Sequence, residues 1–363
     1  MKIVQVSYSL TPGGGERFVV DLSNQLSYNT KNEIILLTIV DDTLKSNRHY
    51  LNDLSPNVKY YNLKAKSGLN IKAFYKIFVF LKNIKPDIIH IHCSDLLFYL
   101  PALLLRKTKY VLTLHSLAQL CLKFEIQKYT DRFFFKRKLI IPVTISKECH
   151  NSFFKLYNLK NDVMITNGRS QIQTTPLLSQ VQKEVYSFKN KPDDKIFIHI
   201  ARYHPVKNQQ LLFNVFNSLY DYQKDFQLII IGSGFEKCNF IPQKPYIHIL
   251  GERNNIGDYL YCSDYFVLTS LIEGLPLSLL EAMSMGVIPI TTPAGGIKDV
   301  IHNKKNGFIS LSFTEKDFLK TIKEAMAYSY LIKKSDIKKE YTEKYSMESC
   351  SLKYQKIYQN SKY

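Results

Sequence analysis

Several signatures that would define a protein class are missing from these 363 residues. The six cysteines form no C-x-x-C pair, which argues against a zinc ribbon or a disulfide framework and favours free thiols in a reducing compartment. The longest apolar run, residues 96–105, contains Pro101 and is too short to span a bilayer. The N-terminal segment MKIVQVSYSL is too short an apolar run for a signal peptide, so we interpret it as a first strand.

Length and charge set the broad class. The chain of 363 residues is long enough for two domains of roughly 150 to 190 residues each, and 45% of its residues are hydrophobic. The net charge of +18 is concentrated in the first half, since residues 1–170 contain 25 Lys and Arg against 12 Asp and Glu. A basic surface of this kind attracts an anionic membrane or nucleic acid.

Basic and aromatic residues alternate in residues 123–138, KFEIQKYTDRFFFKRK. This mixture on a helix suits the headgroup region of a bilayer, where each Lys or Arg contributes about 1 kcal/mol. A solvated helix face with a phenylalanine core on its other side explains the same pattern. Nucleic acid is the weakest of the three alternatives, because no RNP, KH or helix-turn-helix pattern accompanies the segment.

The most informative stretch, residues 263–296, reads SDYFVLTSLIEGLPLSLLEAMSMGVIPITTPAGG. It predicts a buried strand at 265–269, a loop, a helix at about 277–285 and a second strand at 287–290, which is one βαβ unit of a parallel sheet. Ligands bind such sheets beyond the carboxyl ends of the strands. Gly274 allows close approach and Pro276 fixes φ ahead of the helix, so we expect the N–H groups of Leu277, Ser278 and Leu279 to face outward as an anion site.

Two carboxylates bracket this turn, Glu273 before the helix and Glu281 about one turn inside it. Taken alone, they are better explained as a solvated loop residue and a partner of the helix dipole. Beside an anion site, however, carboxylates are good acceptors for the vicinal hydroxyls of sugars. In that interpretation one of the two glutamates holds a ribose and the other a hexose.

The run EGLPLSLLEAMSMGVIPI, followed by GGIKDVI and NGF, closely resembles the nucleotide-binding signature of retaining glycosyltransferases with the GT-B fold, in particular glycosyltransferase family 4. The resemblance implies an α/β protein with two Rossmann-like domains that face a central cleft. It predicts an acceptor- and membrane-facing domain at residues 1–170 and a nucleotide-sugar domain at 195–340. Residues 171–194 between them are polar and poorly periodic, so we interpret them as a linker. A C-terminal helix at 341–363 is expected to cross back to the first domain.

In the first domain the resemblance singles out Gly14, Gly15 and His115. The glycines match a loop near the donor diphosphate and the acceptor. His115, which ends the strand YVLTLHS, matches a histidine that contacts the transferred sugar or orients the acceptor hydroxyl. His90 and His92 face one side of a strand, but no third metal ligand has matching spacing, so we interpret them as structural.

In the second domain, residues 202–208 read RYHPVKN and match the family pattern of Arg followed by Lys-Asn. Arg202 can bind a diphosphate in a bidentate manner, and Lys207 adds a point charge. Arg253 stands in the loop that lies against the nucleotide base in relatives. The implied nucleotide-sugar site consists of Arg202, Lys207, Arg253, Glu273, Gly274, Leu275, Pro276, Leu277 and Glu281.

Two positions depart from the family pattern. After Asn167-Gly168 the family continues with an apolar residue and Asp, whereas this chain has Arg169-Ser170, so no ligand contact is assigned to that turn. Lys298-Asp299 stands where Pro-Glu is more frequent.

The resemblance implies a retaining hexosyltransferase with Glu273, His115, Arg202 and Lys207 as catalytic residues. The donor is a nucleotide diphosphate sugar, with UDP favoured over GDP, and it is a substrate, so no cofactor is expected. No metal is expected either, because the Asp pairs at 41–42 and 193–194 lack D-x-D spacing. The acceptor is expected to be lipid-linked or a saccharide, in capsule, O-antigen or lipopolysaccharide synthesis at the cytoplasmic face of the membrane.

Two alternatives remain open at this point. The chain could be a non-catalytic, membrane-docked GT-B partner of another transferase, although a binding module would not need all of Arg202, Lys207, Glu273 and Glu281. It could also be a GT-B enzyme with a soluble acceptor, such as a disaccharide synthase, or a sugar-nucleotide epimerase.

Overall fold

The computed structural model describes residues 1–65, 71–92, 98–238, 241–242 and 244–360. It divides into two compact units, Met1–Ser170 with Ser346–Tyr363, and Gln171–Tyr345. Each unit is an α/β structure with a parallel sheet, as predicted. Cys93 lies outside the described residues, and the other five cysteines are free thiols. Among the described residues, no helix is long and apolar enough to cross a membrane.

The first unit contains a seven-stranded sheet in the order β3-β2-β1-β4-β5-β6-β7 within the described residues. Its central strands are mostly apolar and are buried on both faces, as parallel sheets require. The edge strand β3 escapes prediction because only its two terminal residues are buried. The strands are β1 (Lys2–Ser7), β2 (Glu33–Val40), β3 (Val58–Ala65), β4 (Ile88–Ile91), β5 (Lys109–Leu114), β6 (Ile141–Thr144) and β7 (Val163–Met164).

Helices connect these strands and bury an apolar stripe against the sheet. In the first of them, Phe18, Val19, Leu22 and Leu26 are buried and recur at helical spacing. The helices are α1 (Gly14–Ser27), α2 (Ile71–Ile84), α3 (Tyr99–Leu104), α4 (Gln127–Lys136) and α5 (Lys147–Tyr157).

The second unit contains a six-stranded sheet in the order β10-β9-β8-β11-β12-β13 within the described residues. Its strands are β8 (Lys195–Ile200), β9 (Phe226–Ile231), β10 (Ile247–Gly251), β11 (Tyr265–Leu268), β12 (Ile288–Thr291) and β13 (Phe308–Ile309). Its helices are α6 (Leu178–Phe188), α7 (Gln209–Tyr222), α8 (Ile256–Tyr261), α9 (Leu277–Ser284), α10 (Ile297–Val300), α11 (Glu315–Tyr328) and α12 (Lys334–Glu340).

Two predicted boundaries differ from the structure. The segment 171–194, predicted as a linker, contains α6 and belongs to the second unit. Its helical pattern is weak in the sequence because only Val181 and Val185 of α6 are buried. The C-terminal segment joins the first unit at Ser346 rather than at residue 341, since the π-helical turn Tyr341–Tyr345 belongs to the second unit. Helix α13 (Met347–Gln359) follows, capped by Ser346, whose side chain accepts from the Ser349 N–H.

Candidate donor and acceptor sites

The loop between β11 and α9 has the predicted form. Strand β11 ends at Leu268, and Pro276 precedes α9 with extended backbone, φ −70° and ψ 126°. Leu275, Pro276 and Leu277 are buried, whereas Glu273 and Gly274 are partly exposed. Because β11 pairs in parallel with β8, the loops that follow these two strands lie at the same edge of the sheet.

The loop after β8 brings Lys207 to this edge. Lys207 ends a short 3-10 turn, Pro205–Lys207, and its Nζ lies 2.6 Å from Glu273 Oε1. The ion pair is largely shielded, because the two side chains are 20% and 10% exposed. The Thr269 hydroxyl donates to the carbonyls of Lys207 and Asn208, both at 3.0 Å. This hydroxyl therefore ties the β8 loop to the end of β11.

Arg202 lies at the start of the same loop, two residues beyond the end of β8. Its side chain is exposed, and its carbonyl accepts a hydrogen bond of 3.0 Å from Gln209 Nε2. The two predicted cations thus flank one loop, with Lys207 held by a carboxylate and Arg202 turned to solvent.

Gly295 and Gly296, which lie outside the predicted site, pack against the backbone of Glu273 and Gly274. Gly295 has φ +53°, and a Cβ there would lie 1.7 Å from the Glu273 carbonyl oxygen. The Gly296 N–H donates to the Gly274 carbonyl at 2.9 Å. Only glycine permits such close backbone approach at a positive φ. In the sequence these two glycines are the first residues of GGIKDVI, a motif that is part of the family resemblance but to which no function is assigned.

The start of α9 differs in one respect from the expected anion site. The Leu279 N–H donates to the Pro276 carbonyl at 3.2 Å, so the prediction that it faces outward unpaired is wrong. The first turn of α9 is therefore closed by a hydrogen bond between residues three apart, a tightening that is common at helix ends. Glu281 lies in the same helix and is 7% exposed.

Arg253 follows β10, and two partners that the sequence did not reveal fix its position. Its Nε donates to the Tyr259 hydroxyl at 3.2 Å, and that hydroxyl donates to Glu184 Oε2 at 2.7 Å. Tyr259 lies in α8 and Glu184 in α6. The guanidinium expected to face the base is thereby anchored to two helices.

In the first unit, the predicted residues Gly15 and His115 are neighbours. Gly14 and Gly15 begin α1, and His115 follows β5 directly. A Cβ on Gly15 would lie 3.9 Å from two ring atoms of His115. The ring nitrogen Nε2 of His115 is 3.0 Å from His92 Nδ1, and burial lowers the pKa of His115 to about 4.

His90 is buried and His92 is partly buried, and desolvation lowers the pKa of both well below the usual range. His90 lies between the Tyr358 and Thr113 hydroxyls, each at 2.7 Å, while His92 Nε2 is 2.7 Å from Gln5 Oε1. The described residues contain no group of three or more ligands that could hold a metal ion. With both ring nitrogens hydrogen-bonded to hydroxyls, His90 fits the structural interpretation, which stays a prediction for His92.

The Arg169 turn, where the sequence departs from the family pattern, has a role within the first unit. Arg169 Nη1 forms a buried ion pair with Asp21 Oδ2 of α1, and Arg17 binds Asp21 Oδ1 at 2.6 Å. The Arg169 carbonyl accepts from the Met347 N–H at 3.0 Å. The turn thus joins α1 to the start of α13.

The segment 123–138 has two buried phenylalanines and several exposed apolar and basic side chains. Phe134 and Phe135 are buried in the core of the first unit, as the solvated-helix alternative requires. The remaining large side chains are exposed, namely Phe124 at 48%, Ile126 at 66%, Tyr129 at 70% and Phe133 at 47%. The basic residues Lys123, Lys136, Arg137 and Lys138 are exposed beside them.

Comparisons with known proteins agree with these two units. Residues 12–160 match the family model Glycosyltransferase Family 4, and residues 182–344 match Glycosyl transferases group 1. Over 257 residues the chain is 28% identical to an uncharacterized glycosyltransferase of Methanocaldococcus jannaschii, covering 64% of this chain and 63% of that protein. The chain spans less than two thirds of the length of the first curated relatives it matches.

Solved structures share the fold at low identity. HepE of Anabaena, in complex with UDP and glucose, is similar with a TM-score of 0.77 and 16% identity over 98% of this chain and 99% of that chain. WaaG, a glycosyltransferase involved in lipopolysaccharide biosynthesis, is similar with a TM-score of 0.71 and 15% identity over 99% and 100% of the two chains. Each of the two family models thus matches one of the two units, and the solved structures show that the chain has the GT-B fold.

Proposed function

We propose that this protein is a retaining glycosyltransferase that moves a hexose or N-acetylhexosamine from a UDP-sugar to a lipid-linked or polysaccharide acceptor. The observation that carries the proposal is the 2.6 Å pair of Lys207 and Glu273, with Arg202 exposed on the same loop. A cation and a carboxylate at one sheet edge suit a diphosphate and the hydroxyls of its sugar. UDP is chosen because HepE, of the same fold, binds UDP-glucose.

In the proposed reaction the bond between the anomeric carbon and the diphosphate oxygen breaks. The acceptor hydroxyl oxygen bonds to the same face of that carbon, and its proton passes to the leaving phosphate oxygen. Arg202 and Lys207 stabilise the negative charge that grows on the diphosphate, and each charge-assisted hydrogen bond contributes about 1.5–3 kcal/mol. Glu281 holds the ribose, Arg253 faces the base and His115 binds a hydroxyl of the reacting sugars.

Glu273 orients hydroxyls of the transferred sugar in this proposal and is not a covalent nucleophile. Its ion pair with Lys207 keeps the carboxylate oriented as an acceptor. Retaining glycosidases use two carboxyl groups about 5–5.5 Å apart, and the sequence shows no second carboxylate placed for that role. Mass spectrometry of the enzyme during turnover is expected to find no glycosyl adduct on Glu273, and such an adduct would contradict the same-face mechanism.

Charge neutralisation by Arg202 and Lys207 also leads us to propose transfer without a metal ion. Activity is then expected to persist after dialysis against EDTA. Loss of activity with EDTA that Mg²⁺ or Mn²⁺ restores would contradict this part of the proposal.

The acceptor is proposed to be presented at an anionic membrane surface, at the inner face of the cell membrane, in the synthesis of a cell-surface polysaccharide. The support is the exposed Ile126, Tyr129 and Phe133 beside exposed basic residues in segment 123–138. The similarity of fold to WaaG agrees with a lipopolysaccharide or capsule pathway. The protein is expected to sediment with phosphatidylglycerol vesicles and not with phosphatidylcholine vesicles, and Ile126→Ser with Phe133→Ser should weaken sedimentation.

The donor site is tested first by thermal unfolding with UDP-, GDP-, ADP- and CMP-sugars. A ligand that binds the native state raises the melting temperature by mass action. One UDP-sugar is expected to stabilise the protein, Glu281→Ala to abolish the shift, and Glu324→Ala, a change on α11 of the same unit, to leave it intact. Absence of any shift at millimolar concentration would favour a non-catalytic partner, and transfer to a soluble sugar without lipid would favour a disaccharide synthase.

A further inference from the structure

Three histidines of the first unit belong to one hydrogen-bonded chain that runs from the buried His90 to the partly buried His92 and His115. His115 Nε2 lies 3.0 Å from His92 Nδ1, and His92 Nε2 lies 2.7 Å from Gln5 Oε1. Gln5 Nε2 is 3.4 Å from the Tyr358 hydroxyl, which lies 2.7 Å from His90 Nδ1. The chain therefore links α13 to His115 through β1 and the end of β4.

The direction of donation along this chain fixes the tautomer of His115. Gln5 Oε1 is an acceptor only, so His92 Nε2 carries a proton and donates it. A neutral imidazole has one N–H, and His92 Nδ1 is consequently an acceptor. His115 Nε2 must then be the donor across the 3.0 Å contact, which leaves His115 Nδ1 with a bare lone pair.

Tyr358 explains why the Gln5 amide keeps this orientation. A phenol is a stronger acid than a neutral imidazole N–H, so the Tyr358 hydroxyl donates to His90 Nδ1 at 2.7 Å. Its oxygen is left to accept from Gln5 Nε2, which turns Oε1 towards His92. His90 Nε2 then donates to Thr113 Oγ1 at 2.7 Å. Each contact in the chain thus has one assigned donor and one assigned acceptor.

The chain ends at an acceptor without a donor. His115 Nδ1 is buried, and the described residues offer it no hydrogen-bond partner. Burial lowers the pKa of all three histidines, which therefore stay neutral at physiological pH. A buried acceptor left unpaired destabilises the protein, so its presence points to a role or to a further partner. Gly15, with no side chain, faces this ring.

We propose that Gln5, His92 and Tyr358 are positioning residues that hold His115 as the Nε2–H tautomer, so that Nδ1 accepts a hydrogen bond from a substrate hydroxyl. The identity of that hydroxyl, on the sugar or the acceptor, rests on the proposed function. The tautomer does not rest on it, since it follows from the contacts of the first unit alone.

The tautomer is measured directly with long-range ¹H–¹⁵N correlation spectra of histidine-labelled full-length protein at pH 7.5, with His115→Gln to assign the signals. The expected result is a protonated Nε2 and an unprotonated Nδ1 on His115. A protonated Nδ1 would mean that the whole chain donates in the opposite direction, and it would overturn the inference.

Two substitutions in α13 separate positioning from general stability. Tyr358→Phe frees the Gln5 amide to turn over, whereas Tyr354→Phe removes another buried hydroxyl, 2.9 Å from Thr113 Oγ1, without touching Gln5. With Tyr358→Phe we expect a mixed His115 tautomer, a kcat about 3- to 10-fold lower, as for the loss of one hydrogen bond, and an unchanged donor KM. With Tyr354→Phe the tautomer and kcat should stay as in the parent. Equal effects of the two substitutions would overturn the positioning role.

Substitution of Gln5 provides the rescue test. Gln5→Leu removes the acceptor for His92, while Gln5→Glu keeps an acceptor and should restore the Nε2–H tautomer of His115. Failure of Gln5→Glu to restore it would count against the inference. If no transfer is detected with any donor, the proposed function fails and the spectra still decide the tautomer.

Discussion

Lys207 Nζ and Glu273 Oε1 lie 2.6 Å apart, although the two residues are separated by 66 positions in the sequence. The parallel pairing of β8 with β11 brings their loops together, and the Thr269 hydroxyl holds them there. Since the side chains are only 20% and 10% exposed, the pair is weakly screened by solvent. The free protein thus already holds the cation close to the position proposed for the diphosphate.

Lys207→Met is expected to reduce kcat about 10²- to 10³-fold, the usual effect of removing one preorganised group that stabilises transition-state charge. The substitution also leaves Glu273 without its cation. The measurement is the initial rate of sugar transfer with the UDP-sugar that the thermal screen identifies. Lys195→Met is the matched control, because Lys195 begins β8 at the other end of the same strand and is exposed. A comparable loss in both variants would remove Lys207 from the proposed mechanism.

Gly295→Ala is expected to distort the Glu273 loop, because the new Cβ would meet the Glu273 carbonyl oxygen at 1.7 Å. Gly251→Ala is its control, since Gly251 also has a positive φ, +72°, but nothing lies within 4 Å of the Cβ position. Gly251→Ala should destabilise the protein only by the added backbone strain, which is about 1–2 kcal/mol. Donor-induced stabilisation in thermal unfolding should disappear in Gly295→Ala and persist in Gly251→Ala, and the reverse order would refute the role of the glycine pair.

The loop between β11 and α9 could be predicted from the sequence. Its strand, turn and helix follow one another in local patterns, and these patterns match a family signature. The contacts of Arg253 with Tyr259, and of Tyr259 with Glu184, could not be predicted, since they depend on how α6 packs beside α8. The sequence predicts a linker in place of helix α6, because the buried face of this helix is narrow.

The histidine chain shows the same limit more clearly. His90 and His92 were interpretable as residues on one face of a strand, a local pattern. Their link to Tyr358 spans 268 residues and exists because the C-terminal segment is part of the first unit. No periodicity or spacing in the sequence encodes that partnership.

Arg169→Met is expected to destabilise the first unit by about 3 kcal/mol, since it leaves the buried Asp21 with one of its two arginine partners. Adding Asp21→Leu should recover part of the loss, because a buried ion pair can be replaced by apolar residues at little cost. Urea unfolding monitored by hydrogen exchange of α1 amides provides the measurement. A double variant less stable than Arg169→Met would show that the two side chains do not act as a pair.

Stability is expected to fall as the pH decreases from about 6.5 towards 4. Burial lowers the pKa of His115 and of His199 to about 4, against 6.5 in the unfolded chain. Within this window the unfolded state binds more protons, so the free energy of unfolding falls by up to about 1.4 kcal/mol per pH unit for each histidine. His199→Gln should flatten the pH dependence of the second unit's thermal unfolding, whereas replacement of the exposed His49 by Gln should not. An unchanged profile in His199→Gln would contradict this origin of the acid sensitivity.

The buried carboxyl of Asp131 is expected to lower the stability of the protein as the pH rises, whereas the buried histidines lower it as the pH falls. This carboxyl is buried in α4, accepts one hydrogen bond of 2.8 Å from the Tyr157 hydroxyl and, among the described residues, has no partner for Oδ1. Burial raises its pKa to about 7, above the value of 3.8 in the unfolded chain, so its contribution to stability is lost as the pH rises from about 4 to 7.

Asp131→Asn should therefore stabilise the first unit by about 1–3 kcal/mol at pH 9, where the buried carboxylate would be charged, and change little at pH 5, where it is protonated. Asp162→Asn is the control, because the Asp162 carboxylate is also buried but accepts from both Thr144 and His150, so its replacement should destabilise the protein at either pH. Thermal unfolding at the two pH values measures both effects. An Asp131→Asn variant that is no more stable than the parent at pH 9 would mean that this carboxylate is not held in an unfavourable charged state.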